Sequence, residues 1–144
     1  IGHEQRGAKL VRQVGERWRV PRDCTELAEL VAYEHGNIHR SLDLSAAAVL
    51  RLLQRCDALR KPERFAQALW ACECDARGRW GFEAAAYPQR GRLEQALAVA
   101  LGVATGPIAA QAVAAGKQGA AIGQAVDAVR VQALGQWLKT GESS

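Results

Sequence analysis

The apolar residues of this chain recur three and four positions apart and seldom alternate. That spacing lays an apolar stripe along one face of an α-helix, whereas a half-buried strand needs its inward residues at every second position. Ala, Leu, Arg, Glu and Gln dominate while Val and Thr are scattered, and the dominant set consists of residues that sit in helices at little cost. The expected fold class is therefore all-α, an array of about six or seven helices broken by Pro and Gly.

The periodic segments place a first helix over 3–18, with Ala8, Leu10, Val11 and Val14 turned inward. Val20-Pro21 ends it, because proline disfavours helical geometry in the residue before it. A second helix carries Leu27, Leu30 and Val31 as its stripe, with Asp23 or Thr25 as cap and Gly36-Asn37 as stop. Ser45 caps a third, with Val49, Leu50, Leu52 and Leu53 inward, running to about Leu59. Pro62 opens a fourth at the first-turn position, where its missing N–H is harmless. That helix carries Phe65, Leu69 and Trp70, and frays over 78–81. GFEAAAYPQR then forms a loop before a weaker fifth helix over about 89–103. Beyond residue 100 the chain is almost pure Ala, Gly, Val and Gln, and Gly116 and Gly119 divide it into a short helix over 107–115 and a longer one over 120–138. Ser143-Ser144 reads as a loose end, and no repeat of solenoid period is present.

With 49% hydrophobic residues in 144, the chain can bury a core without disulfides. Its four cysteines are expected to be reduced, mostly buried thiols; Cys72-x-Cys74 is too tight for the usual zinc spacing. No run approaches the roughly eighteen apolar residues of a membrane span, and no signal peptide opens the sequence, so no membrane partner and a cytoplasmic location are expected. The net charge of +4 is carried mainly by arginine, whose guanidinium fork suits phosphate. The sequence begins at Ile1 and holds no Met, so a piece of a longer protein is expected.

Cys-Asp-Ala occurs twice, at Cys56-Asp57-Ala58 and Cys74-Asp75-Ala76. A spacing of eighteen residues is about five helical turns and would align Asp57 with Asp75 on one helix. Pro62 forbids that helix, since an interior proline costs roughly 3 kcal/mol. Separately, Asp57 can pair with Arg60 or Arg64, and Asp75 with Arg79 one turn on. His3, His35 and His39 lie near carboxylates, but the Gly36-Asn37 stop is expected to keep His35 and His39 off a shared face. Arg77-Gly78-Arg79 beside Trp80 offers two guanidinium groups and an aromatic to an RNA backbone. Lys117, in the Gly-rich stretch before the last helix, places a cation where helix-start amides favour phosphate.

Taken in order, IGHEQRGAKLV, ERWRVP, LVAYEHGNIHR, LLQRCDALRKPERF, ACECDARGRWGFE, YPQ and KQGAAIGQAV resemble the carboxy-terminal part of bacterial multifunctional CCA proteins, from Ile1 to about Leu138. These are tRNA nucleotidyltransferases with an appended HD phosphohydrolase domain. The resemblance implies that residues 1–61 form the second half of the HD domain and residues 62–144 a helical, RNA-binding body and tail. It implies a partner tRNA, held by its acceptor and TΨC arms, and CTP and ATP bound only by a head domain that has no candidate here. A homodimer is compatible with it. It further implies a divalent metal, Mg or Ni, in the whole protein, acting on 2′,3′-cyclic phosphates, 2′-nucleotides and phosphate monoesters. The family's His-Asp doublet is missing and is expected upstream of Ile1. His3, His35 and Asp57 then remain as a partial metal set that should bind no metal tightly, and no residue here is expected to catalyse CCA addition. Arg77, Arg79 and Lys117 are the expected RNA contacts.

Overall fold

The computed structural model describes residues 2–141, apart from the side chain of His3, and within them the chain is all-α. The helices are α1 (His3–Trp18), α2 (Arg22–His39), α3 (Ala46–Arg55), α4 (Pro62–Arg77), α5 (Pro88–Leu101), α6 (Thr105–Ala114) and α7 (Ala120–Gly141). A single 3₁₀ turn, Ser41–Asp43, joins α2 to α3. Helix α1 packs on α2, α2 on α4, and α7 on α3, α5 and α6.

Helices α1 and α2 form an antiparallel hairpin whose contact runs along small residues. A Cβ added at Gly7 would touch Ala32, and one at Gly15 would lie 2.6–3.3 Å from the side-chain atoms of Thr25. Arg12 adds a 2.6 Å ion pair to Glu29 across the hairpin. This close approach corrects the expected orientation of α1. Ala8 and Val11 are half-buried, but Leu10 (60% exposed) and Val14 (53%) join Trp18 on the outer side, because the small residues take the inner one.

Neither Asp23 nor Thr25 caps α2. The helix starts at Arg22 after Pro21; the Asp23 carboxylate accepts from the adjacent Cys24 N–H, and Thr25 Oγ1 donates back to the Pro21 carbonyl. Nor do Gly36 and Asn37 stop it. The helix runs to His39 and is closed by the Arg40 N–H on the Gly36 carbonyl. Asn37 is held inside by donating to Glu34 Oε2 at 2.8 Å. Gly36 lies where a Cβ would come within 3.3 Å of Glu4 on α1 and 3.4 Å of the Arg40 guanidinium. Its missing side chain serves close approach rather than a left-handed cap.

Glu34 is 2% exposed, on the stripe that also carries Leu30 and Ile38. Arg55 of α3 grips it with two hydrogen bonds of 2.9 and 3.3 Å, and Asn37 supplies a third. A buried carboxylate is tolerated when paired and hydrogen-bonded in this way.

Ser45 caps α3 through the Ala48 N–H, as expected, but α3 ends at Arg55 rather than near Leu59. Asp57 takes a left-handed φ of 52°, its N–H bonds the Gln54 carbonyl, and the Ala58 N–H bonds the Leu53 carbonyl. That is the helix-ending pattern in which glycine usually occupies the left-handed position; Asp is one of the few side chains that enter it readily. Pro62 opens α4 and Pro88 opens α5, each in the first turn.

The core does not divide at Pro62. Ile38, Leu52, Leu53, Phe65, Leu69, Leu93 and Leu134, from five helices on both sides of that proline, form one buried cluster. The expected division into 1–61 and 62–144 is therefore not a division of the core, because α2 packs on α4 and α3 on α7. Trp70 of α4 lies outside the core: it is 61% exposed, with the Arg90 guanidinium 5.2 Å from its ring centre. Among the described residues no single helix is long and apolar enough to cross a membrane. Helices α5 and α6 reach that length and composition only as a pair bent by 48°, and α5 buries Leu93, Ala96, Leu97 and Ala100 in the core.

Two substitutions test this packing. Gly15→Ala should cost about 1–3 kcal/mol in urea unfolding, as overpacking does, and Thr25→Ala in the same chain should restore most of it. Arg55→Ala strands the Glu34 carboxylate and should cost about 2–3 kcal/mol, less than for a fully enclosed pair because Arg55 is itself 46% exposed.

Candidate nucleic-acid-binding site

The last turn of α2 carries His39 across to α4 and to the segment before α5. Its Nε2 lies 3.1 Å from Asp75 Oδ2 and its Nδ1 2.7 Å from the Tyr87 hydroxyl. An ionised Asp75 can only accept, so in the neutral ring Nε2 donates to it and Nδ1 accepts the Tyr87 O–H. Burial pushes the Tyr87 phenol above its ordinary range, with nearby Cys72 and Asp75 adding to the shift, which keeps that O–H in place as donor. Gln89 Nε2 donates to the His39 carbonyl at 2.9 Å, and the His35 ring meets His39 edge-on with centres 5.8 Å apart. The expected Asp75–Arg79 pair gives way to Asp75–His39, because the unbroken α2 delivers an imidazole to that carboxylate. For the same reason His35 and His39 do share a face.

Between α4 and α5 the chain folds into an ordered tip. Arg77 Nε donates to the Ala85 carbonyl at 3.1 Å, and its NH2 group pairs with Glu73 at 3.0 Å. The N–H of Phe82 bonds the Arg79 carbonyl, that of Ala85 bonds the Phe82 carbonyl, and Gly81, at φ 84°, donates to the Glu83 carboxylate. The tip displays Trp80, 97% exposed, and Phe82, 55% exposed. Beneath it lies an open cleft of about 290 Å³ lined by His39, Ala76, Arg79, Phe82, Tyr87 and Gln89. Among the described residues Arg79 has neither ion pair nor side-chain hydrogen bond, whereas Arg77 is engaged in holding the tip. Of these two arginines, Arg79 is the one whose charge faces solvent unopposed.

Lys117 is exposed and follows Gly116 in the turn that ends α6. Gly116, at φ 80°, bonds Val113, and the Lys117 N–H bonds the Ala112 carbonyl. The first amides of α7 are partly used: those of Ala121 and Ile122 bond the Gln118 and Gly119 carbonyls. A phosphate there would meet the Lys117 ammonium more than free helix-start amides.

Of the three residues expected near metal, the two whose side chains are described, His35 and Asp57, are engaged separately. His3 has its side chain outside the described residues. His35 bonds its own helix, with Nδ1 3.0 Å from the Val31 carbonyl. Asp57 is taken by Arg60, at 2.8 and 3.0 Å, and lies 3.6 Å from Arg64. Arg64 in turn reaches Glu26 on α2 at 3.3 Å, nine residues and so about 13 Å along that helix from His35. Among the described residues no three His, Cys, Asp or Glu side chains converge where a cation could sit, so His35 and Asp57 do not by themselves fit a metal. All four cysteines are free. Cys56 and Cys72 are buried, and burial pushes both thiols up to about 12; Cys24 and Cys74 are exposed, against the expectation of mostly buried thiols.

Sequence reasoning missed Glu34, Tyr87 and Gln89. For Glu34 a signal existed, since it falls on the stripe of Leu30 and Ile38. For Tyr87 and Gln89 there was none, because they depend on where α2 ends.

The chain is 60% identical to a multifunctional CCA protein of Polaromonas naphthalenivorans over 94% of its own length and 32% of that protein. It is 57% identical to one from Acidovorax sp. over 96% and 32%, and 58% identical to one from Cupriavidus necator over 93% and 32%. The chain thus spans about a third of the length of these curated relatives. No family model and no solved structure matches it. With this identity along nearly all of its residues, the chain belongs to the multifunctional CCA proteins, corresponding to their carboxy-terminal part.

Proposed function

We propose that this chain is the tRNA-holding, carboxy-terminal part of a cytoplasmic CCA-adding tRNA nucleotidyltransferase that matures and repairs tRNA 3′ ends. Addition of C, C and A, with binding of CTP and ATP, belongs in this reading to a head domain of the whole protein. Any HD-type hydrolysis of cyclic phosphates, 2′-nucleotides or phosphate monoesters with a divalent ion such as Mg or Ni belongs instead to the HD domain of the whole protein, of which residues 1–61 would form the second half. His35 and Asp57 do not make a cation site alone, and no hydrolytic step is assigned to them.

The observation that carries the proposal is the ordered tip between α4 and α5, which presents Arg79 without an acidic partner beside two exposed aromatic rings. RNA helices are recognised chiefly by shape and by phosphate contacts, for which separated cations on a rigid helical frame are sufficient. Arg79 and Lys117 supply such cations, while Arg77 acts through the tip it holds in place. The names and high identity of the relatives support tRNA as the ligand.

The test is tRNA binding by the 144-residue chain as a function of salt. Each lost phosphate contact lowers the slope of log K against log salt by about 0.7 to 0.9, so Arg79→Ala with Lys117→Ala should weaken binding and reduce the slope by roughly 1.5. An unchanged slope would remove both residues from the interface.

A further inference from the structure

We infer that the tip and its cleft form a binding site for unpaired RNA bases, with the cleft taking one base and Trp80 stacking on its neighbour. The inference rests on the proposal that RNA is the partner, and extends it from phosphate contact to base contact. A ring as large as indole at 97% exposure is not contributing to the core. Yet the chain holds it on a folded support, through the Arg77 bond to Ala85 and two backbone turns, so the aromatic surface is presented in one place. Phe82 and Tyr87 line an open cleft of about 290 Å³, a volume that can admit one planar ring. His39 is pinned by Asp75 and Tyr87, which keeps the cleft from collapsing around a mobile side chain.

Charge selects the occupant. Arg79 lines the cleft and, among the described residues, forms no ion pair, whereas Glu73 is paired with Arg77 and Arg90. A guanidinium without an ion pair beside exposed aromatic faces matches a nucleotide, whose base offers a π-face and whose phosphate needs the cation. A purely apolar partner would leave Arg79 desolvated. Duplex RNA keeps its bases stacked inside and offers nothing to Trp80 or Phe82.

The experiment compares oligoadenylate with a blunt RNA duplex, using intrinsic fluorescence and direct binding, for the unaltered chain and for Trp80→Ala and Phe82→Ala. Circular dichroism melts confirm that each variant is folded. Oligoadenylate should quench the unaltered chain, and each substitution should weaken its binding about tenfold or more while duplex binding stays unchanged. Equal oligoadenylate affinity in all three proteins would overturn the site, and so would an equal loss for duplex and single strand. If Trp80→Ala instead abolished self-association in sedimentation with RNA binding intact, the tip would be a protein contact and the inference would fall. Failure of the stacking site alone leaves the salt slope through Arg79 and Lys117 intact; absence of any RNA binding by the unaltered chain removes both readings.

Discussion

The last turn of α2 is the constraint on which the candidate site depends. Had Gly36 and Asn37 ended the helix, His39 would not reach Asp75 or Tyr87, and neither the carboxylate of α4 nor the phenol before α5 would have its partner. Three contacts carry α2 through these two weak helix formers. Asn37 spends its amide on Glu34, Glu34 is clamped by Arg55, and Gly36 lets Glu4 and Arg40 approach. Intrinsic preferences against helix of up to about 1 kcal/mol for Gly are smaller than the cost of leaving a buried carboxylate unpaired.

The same turn ties the two ends of the candidate site to the common core. Ile38, one residue before His39, is fully buried with Leu52, Phe65 and Leu134. The tip between α4 and α5 is thus suspended from a packed frame at His39, Tyr87 and Gln89 rather than projecting as a free loop. A rigid frame matters for recognition, because a contact that is already ordered does not have to be ordered on binding.

Much of the helical plan was legible in sequence because it depends on local chemistry. Ser45 as cap, Pro62 as first-turn residue and the α3 stripe of Val49, Leu50, Leu52 and Leu53 all follow from spacing and residue type, and all hold. The departures arose where a tertiary contact outweighs a local signal. Gly36-Asn37 was a stop by propensity and is helix by packing. Leu10 and Val14 were core by periodicity and are exposed because Gly7 and Gly15 face α2. The two Cys-Asp-Ala copies show the difference within one motif. Asp57 ends α3 in a left-handed turn and binds Arg60, within reach of its own sequence. Asp75 binds a histidine 36 residues away, which no local pattern could announce.

Backbone amide exchange at Ile38, His39 and Arg40 tests the central claim most directly, since these are the donors that a continuous α2 requires beyond Gly36. The account predicts that Ile38 and His39 exchange as slowly as amides in the middle of α2, with Arg40 only moderately faster as the closing bond. Exchange of all three at the rate of a frayed helix end would show that α2 stops at Gly36-Asn37. His39, and with it the tip and its cleft, would then lack the support described here.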